Sequence, residues 1–286
     1  MKVLILGTGK TGTTVMVYKV AGGLPNCHAF SGGRPGKYVG DYDNAVYKHT
    51  YEERKGKSFD VFKEHLNATQ YDRKIWMARD PRDAAVSRML YRWHKGLKGK
   101  REQFEAHLDL VLKKEADPAS VPFAEICRYT GHNGWPRDVE QVLDEEQHRY
   151  KNMVEFVNEL GSDWFLFTFE KMVNGEFGAL NDYLGFEVKA DATVPIASGK
   201  AKVIRKKSSG DWRHWFTEAD IELFKPAYTP YMELIGYDCH DWSPENSPVI
   251  DPQFSSLYIQ NLVRKAAKNS LLRKIDPIIQ RLIKRS

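Results

Sequence analysis

The sequence predicts an α/β fold, a central parallel sheet flanked by helices, on three observations. Short apolar, β-branched or aromatic segments at 2–6, 45–49, 74–79 and 164–169 alternate with stretches of helical spacing at 13–20, 58–66, 81–93, 101–114, 139–160 and 217–234. Strands separated by helices leave room for the crossovers that parallel pairing requires. A glycine-rich loop, GTGKTGTT at 7–14, follows the first apolar run directly. In open α/β sheets such loops at strand C-termini are where ligands bind.

The first element, Lys2 to Leu6, carries the continuous apolar run Val3–Leu6, the pattern of a strand buried on both faces. The loop after it reads as an anion cradle. With Thr13 or Thr14 opening the next helix, the amides of Gly12, Thr13 and Thr14 point at whatever sits in the loop, and the helix dipole favours negative charge there. Lys10 adds a full charge, and the hydroxyls of Thr11, Thr13 and Thr14 add donors. A Walker A loop, G-x-x-x-x-G-K-[ST], needs a glycine six residues before the lysine, and Leu4 stands there.

The strand at 74–79 runs into RDPRDAAVSRML. Asp80 as N-cap, Pro81 at the first helical position and Asp83 in the first turn start a helix. That leaves Arg79 at the strand end, with Ser87 two turns into the helix, and a cation beside a hydroxyl suits a second phosphate. Further on, Arg205, Lys206 and Lys207 open the cationic loop RKKSSGDW, and Thr217 with Asp220 three residues later caps the helix at 217–234.

Net charge is +5 over 286 residues, but it is unevenly spread. From 254 to 286 eight basic residues face one acid, while the rest carries 35 basic against 37 acidic residues. A nucleic-acid binder carries its basic surface on the folded domain, so a nucleic-acid partner is not expected. Cys27, Cys127 and Cys239 are odd in number and widely spaced, which reads as free thiols in a reducing compartment. With no apolar run of membrane-span length, and a first apolar run that ends at Gly7, a cytoplasmic protein is expected. One domain over 1–245 is expected, followed by 246–286 as a linker and a basic amphipathic helical tail. In that tail Leu271, Leu272, Ile275, Ile278, Ile279, Leu282 and Ile283 recur at helical spacing between basic residues. It reads either as a peripheral membrane contact or as a terminal helix packed on the body.

Taken together, the three cationic segments resemble the sulfotransferases that use 3′-phosphoadenosine 5′-phosphosulfate (PAPS). Lys10-Thr11-Gly12-Thr13-Thr14 is similar to that family's K-S/T-G-T-T loop. Arg79-Asp80-Pro81-Arg82-Asp83 followed by Ser87 resembles its 3′-phosphate element, and RKKSSGDW is similar to R-K-G-x-x-G-D-W, with Lys207 in place of the glycine. Phe169-Glu170-Lys171 resembles its Y-E-D element, with phenylalanine for the tyrosine and lysine for the aspartate. The resemblance spans 7–212 and implies a P-loop-like sulfotransferase fold. It also implies PAPS as donor with no metal, and Lys10, Thr11, Gly12, Thr13 and Thr14 on the 5′-phosphosulfate. Arg79, Ser87, Arg205, Lys206 and Lys207 would then hold the 3′-phosphate, and Phe169 would lie near adenine.

The acceptor is expected to be a hydroxyl or amine on a small molecule, a sugar or a lipid, bound by segments such as 27–40 and 94–136. The family's base is a histidine just after a lysine, which His49 after Lys48 fits. Glu52 and Glu53 stay in contention, and His28 and His65 are weaker candidates. Two other readings remain open: an atypical P-loop kinase using ATP, and a non-catalytic nucleotide-binding protein associated with a membrane.

Overall fold

A computed structural model describes residues 1–32, 42–51, 70–130, 136–195, 205 and 208–267. Five strands form one sheet: β1 (Lys2–Gly7), β2 (His28–Phe30), β3 (Ala45–Thr50), β4 (Arg73–Ala78) and β5 (Trp164–Thr168). Their order is β2-β3-β1-β4-β5, and every pairing is parallel. The helices are α1 (Thr13–Gly22), α2 (Pro81–Tyr91), α3 (Arg101–Ala116), α4 (Phe123–Cys127), α5 (Val139–Asn158), α6 (Phe169–Asn174), α7 (Gly178–Leu184) and α8 (Glu218–Leu234). A further helical stretch covers 256–267.

Alternation along β1 divides the core. Leu4 and Leu6 face one layer with Trp76, Met89, Leu90, Phe156, Phe224 and Tyr231, built by α2, α5 and α8. Val3 and Ile5 face the other with Met16, Val17, Val20, Met172, Leu180 and Leu184, built by α1, α6 and α7. With both faces covered, the expected parallel sheet flanked by helices is present. The chain leaves β1 for β2 and β3 on one side and then crosses to β4 and β5 on the other, so the strand order reverses beside β1. The crevice beyond the C-termini of β1 and β4 is therefore the place for a ligand.

The expected strands and helices agree with those observed to within a few residues, with three kinds of difference. β2, α4, α6 and α7 were not anticipated, each being too short for a period to register. Phe169 is the first residue of α6 rather than the last of a strand, because the Thr168 hydroxyl accepts from Lys171 N and caps the helix. The helix expected over 58–66 lies outside the described residues.

The third difference concerns the C-terminal region. Part of the 246–286 segment expected as linker and tail belongs to the main core: Ile250, Tyr258, Ile259 and Leu262 are buried in the same cluster as β1 and β4. Both carboxylate oxygens of Glu115 on α3 anchor it, accepting from Ser255 Oγ, from Ser256 N at 2.7 Å and from Ser256 Oγ at 2.9 Å. The amphipathic stretch 271–283 lies outside the described residues. Among the described residues no helix is long and apolar enough to cross a membrane.

Candidate anion-binding site

The loop between β1 and α1 turns sharply twice. Lys10 has φ 78° and Gly12 has φ 83°, both left-handed. Gly12 caps α1 without any side-chain help, and among the described residues no acceptor takes the amides of Gly12, Thr13 and Thr14. Such amides at a helix start are ready for an anion. Close packing fixes the loop from below: a Cβ on Gly7 would stand 2.6 Å from Met77 O. Of the three threonines, Thr11 is turned inward and its hydroxyl donates to Thr8 O at 2.9 Å. In this arrangement it braces the loop. Thr13 is buried, and Thr14 Oγ1 accepts from Lys48 Nζ at 2.9 Å.

Arg79 lies where the sequence indicates, at the end of β4, buried and donating from Nη1 to Lys10 O at 3.0 Å. Its guanidinium lies 4.1 Å from the centre of the Phe169 ring. Phe169 thus stacks on Arg79 and packs against Gly12, which fixes the arginine plane. Arg79 Nε is buried and meets no acceptor among the described residues, an arrangement that a ligand oxygen would complete. Neither Lys10 nor Arg79 forms an ion pair among the described residues.

Asp83 joins the third segment to the second. Its carboxylate accepts from Gly210 N at 2.7 Å and from Trp212 N at 2.9 Å, which ties the RKKSSGDW loop to the first turn of α2. Burial pushes Asp83 up to about 6, against the lowering pull of Arg79. Arg205 is then set by an ion pair with Asp211 at 2.7 Å and a bond to Phe254 O at 3.3 Å. Ser208 Oγ is buried without a partner among the described residues. Ser87 is buried and one helical repeat beyond Asp83, on the side of α2 that meets this loop. Lys206 and Lys207 lie outside the described residues.

These cations act on one another. Burial, then the charges of Arg79, Arg205 and Lys48, bring Lys10 down to about 7. Its Nζ lies 3.9 Å over the ring of Tyr91. His94 stacks on that same ring at 3.9 Å and 9°. His94 Nδ1 lies 3.0 Å from Tyr91 O, and since a carbonyl only accepts, Nδ1 must carry the proton. Burial holds His94 down to about 4.

His49 is buried near the end of β3, with Nε2 3.4 Å from Tyr71 OH. It projects on the sheet face opposite to Lys48, the face covered by α2. His28 is exposed at the start of β2, away from the loop after β1. Glu52, Glu53 and His65 lie outside the described residues. Lys10, Thr14, Arg79, Phe169 and Arg205 are thus brought together by the fold. Lys48, Asp83, Tyr91 and Asp211 belong with them although sequence reasoning gave them no role in the site. For Lys48 the signal was alternation, which sends it to the α1 face; for Asp83 the helix-start pattern hid it.

No protein-family model matches the chain, and neither a characterised protein nor a solved structure matches it, so the assignment rests on the chain's own residues.

Proposed function

We propose that the protein is a PAPS-dependent sulfotransferase with a P-loop-like fold, moving a sulfuryl group to an acceptor hydroxyl or amine on a small molecule, sugar or lipid. The observation that carries this reading is the convergence of three separated cationic segments at one strand crossover. Arg79 bonds to Lys10 O, and Asp83 holds the loop that bears Arg205. A single phosphate would be served by the loop after β1 alone. The second set, Arg79, Ser87 and Arg205 with Lys206 and Lys207, suits a further phosphate on the same ligand, the feature that separates PAPS from ordinary adenine nucleotides.

In this reading the amides of Gly12, Thr13 and Thr14 and the Lys10 ammonium receive the charge that grows on the leaving 5′-phosphate. Lys48, held at Thr14, lies beside them. The base, His49 or one of Glu52 and Glu53, takes the acceptor's proton as its oxygen or nitrogen bonds to sulfur and the bridging sulfur–oxygen bond breaks. The product nucleotide, 3′,5′-diphosphoadenosine (PAP), carries away the bonding pair.

Calorimetry in the presence of a chelator tests the assignment. PAP is expected to bind at least tenfold more tightly than AMP, because charge-assisted contacts to a second phosphate are the strong kind. Equal affinities would overturn it, and so would tighter binding of ATP that requires magnesium.

A further inference from the structure

Tyr91, the last residue of α2, carries a different side chain on each face of its ring. The imidazole of His94 lies on one, with 3.9 Å between ring centres and a tilt of 9°. A parallel ring so close fills that face, which leaves the other to the Lys10 ammonium, 3.9 Å from the same centre. The turn after α2 holds this arrangement. His94 donates to Tyr91 O from its backbone N at 3.1 Å and from Nδ1 at 3.0 Å. Trp93, one residue before, is buried and donates from Nε1 to His107 Nδ1 at 2.9 Å, so the turn is anchored in the core.

Lys10 needs such a support. Its φ of 78° is one that residues other than glycine seldom adopt, and it persists where neighbours over-determine it. Arg79 Nη1 holds the Lys10 carbonyl at 3.0 Å, and the Tyr91 ring holds the far end of the side chain. No carboxylate pairs with the ammonium among the described residues, so the negative face of the ring is its attractive contact there. We propose that Tyr91 is a positioning residue for Lys10, holding its ammonium in place before the ligand arrives, and that His94 braces the ring from behind. A lysine on its four-carbon stem is otherwise free to turn, and rotamers given up in advance are not lost on binding. The inference deepens the proposed function and rests on it, because Lys10 is there assigned to the 5′-phosphate.

A double-mutant cycle separates positioning from mere packing. Calorimetry at pH 6 keeps Lys10 charged in the free protein, whose value is about 7. Tyr91→Leu keeps bulk but removes the π face, and PAP affinity is expected to fall roughly tenfold, the scale of one cation–π contact. AMP also carries the 5′-phosphate, so its affinity is expected to fall by the same factor and the PAP-to-AMP ratio to hold. Tyr91→Phe keeps the face and is expected to bind both nucleotides like wild type. In a Lys10→Met protein, adding Tyr91→Leu is expected to change affinity by less than about twofold, because the cation it positions is gone. His94→Ala, on an accessible side chain, is expected to give a smaller loss that likewise needs Lys10.

Wild-type affinity in Tyr91→Leu would overturn the inference, as would an equal loss with and without Lys10 or a Tyr91→Phe protein as weak as Tyr91→Leu. If Tyr91→Leu does not fold, His94→Ala decides by the same cycle. Those outcomes leave the proposed function standing, since the preference of the wild type for PAP over AMP is untouched by them. A wild type without that preference but with the expected cycle overturns the proposed function alone, and one that binds neither nucleotide overturns both.

Discussion

Lys10 is the residue on which the site turns, and its chemistry gives a sign that can be checked. Burial and three neighbouring cations bring it to about 7, so in the free protein it is largely charged below that pH and largely neutral above it. An anion in the loop favours the charged form. Below pH 7 binding therefore takes up few protons, and above it each bound diphosphate brings up to one proton onto Lys10. Calorimetry at pH 8.5 in two buffers of different ionisation heat is expected to show proton uptake, with affinity for PAP falling as pH rises from 7 to 9. Lys10→Met should abolish that uptake; unchanged uptake in the variant would place the titrating group elsewhere. Lys10 and Arg79 were legible in the sequence because glycines and a proline punctuate the chain beside them, and such residues dictate backbone geometry locally. Lys48, Asp83 and Tyr91 were not, because each is ordinary in its own element and gains its role only through a contact from a distant one. Asp83 is the plainest case: a first-turn acid satisfies the rule for a helix start, and nothing local says that two amides from Gly210 and Trp212 will claim it.

At the scale of elements, the strand–loop–helix unit of β1 and α1 depends on one residue that no other type can replace. Gly12 has φ 83°, and a Cβ there would stand 2.8 Å from both Phe169 and Met172. Gly12→Ala is therefore expected to cost at least about 1–2 kcal/mol from the left-handed backbone alone. Pushing on Phe169 should also shift the arginine that stacks on it, so PAP affinity should fall along with stability. Gly9 gives the contrast, since its added Cβ would meet nothing within 4 Å. Gly9→Ala should change stability by less than about 1 kcal/mol. Chemical denaturation of both variants, with PAP titrations, checks the pair; equal costs would show that the loop geometry is misread. The elements themselves were mostly readable because long periods repeat often enough to be seen. The exceptions follow physical limits: β2 has three residues, and α6 begins at Phe169 only because Thr168 offers a cap where an apolar strand was running.

At the scale of the whole molecule, the order of the strands and the extent of the domain were the least legible features. Alternation of strand and helix indicates a parallel sheet, but it does not say that β1 stands in the middle, and that placement makes the site. The stretch 243–256 reads as a linker because proline and serine interrupt it, with the basic tail beyond. Ile250, Tyr258, Ile259 and Leu262 nonetheless complete the core. Two truncations separate the consequences. Ending the chain after residue 245 removes these four side chains, and burial of each is worth about 1.5–3 kcal/mol. It also strands the Glu115 carboxylate that Ser255 and Ser256 satisfy. The sum rivals the total stability of a typical domain, about 5–15 kcal/mol, so this protein is expected to unfold or to melt far below wild type. Ending the chain after residue 267 removes six basic residues and one acid while leaving every described contact in place. That protein is expected to keep its melting temperature and its PAP affinity. If the basic segment is a membrane contact, the same cut abolishes binding to vesicles of mixed zwitterionic and anionic phospholipid, which the full chain binds, because the body that remains is nearly neutral. Sedimentation with such vesicles decides the point: full-length protein that stays in the supernatant removes the membrane role, and a truncated protein that still pellets moves it onto the folded body.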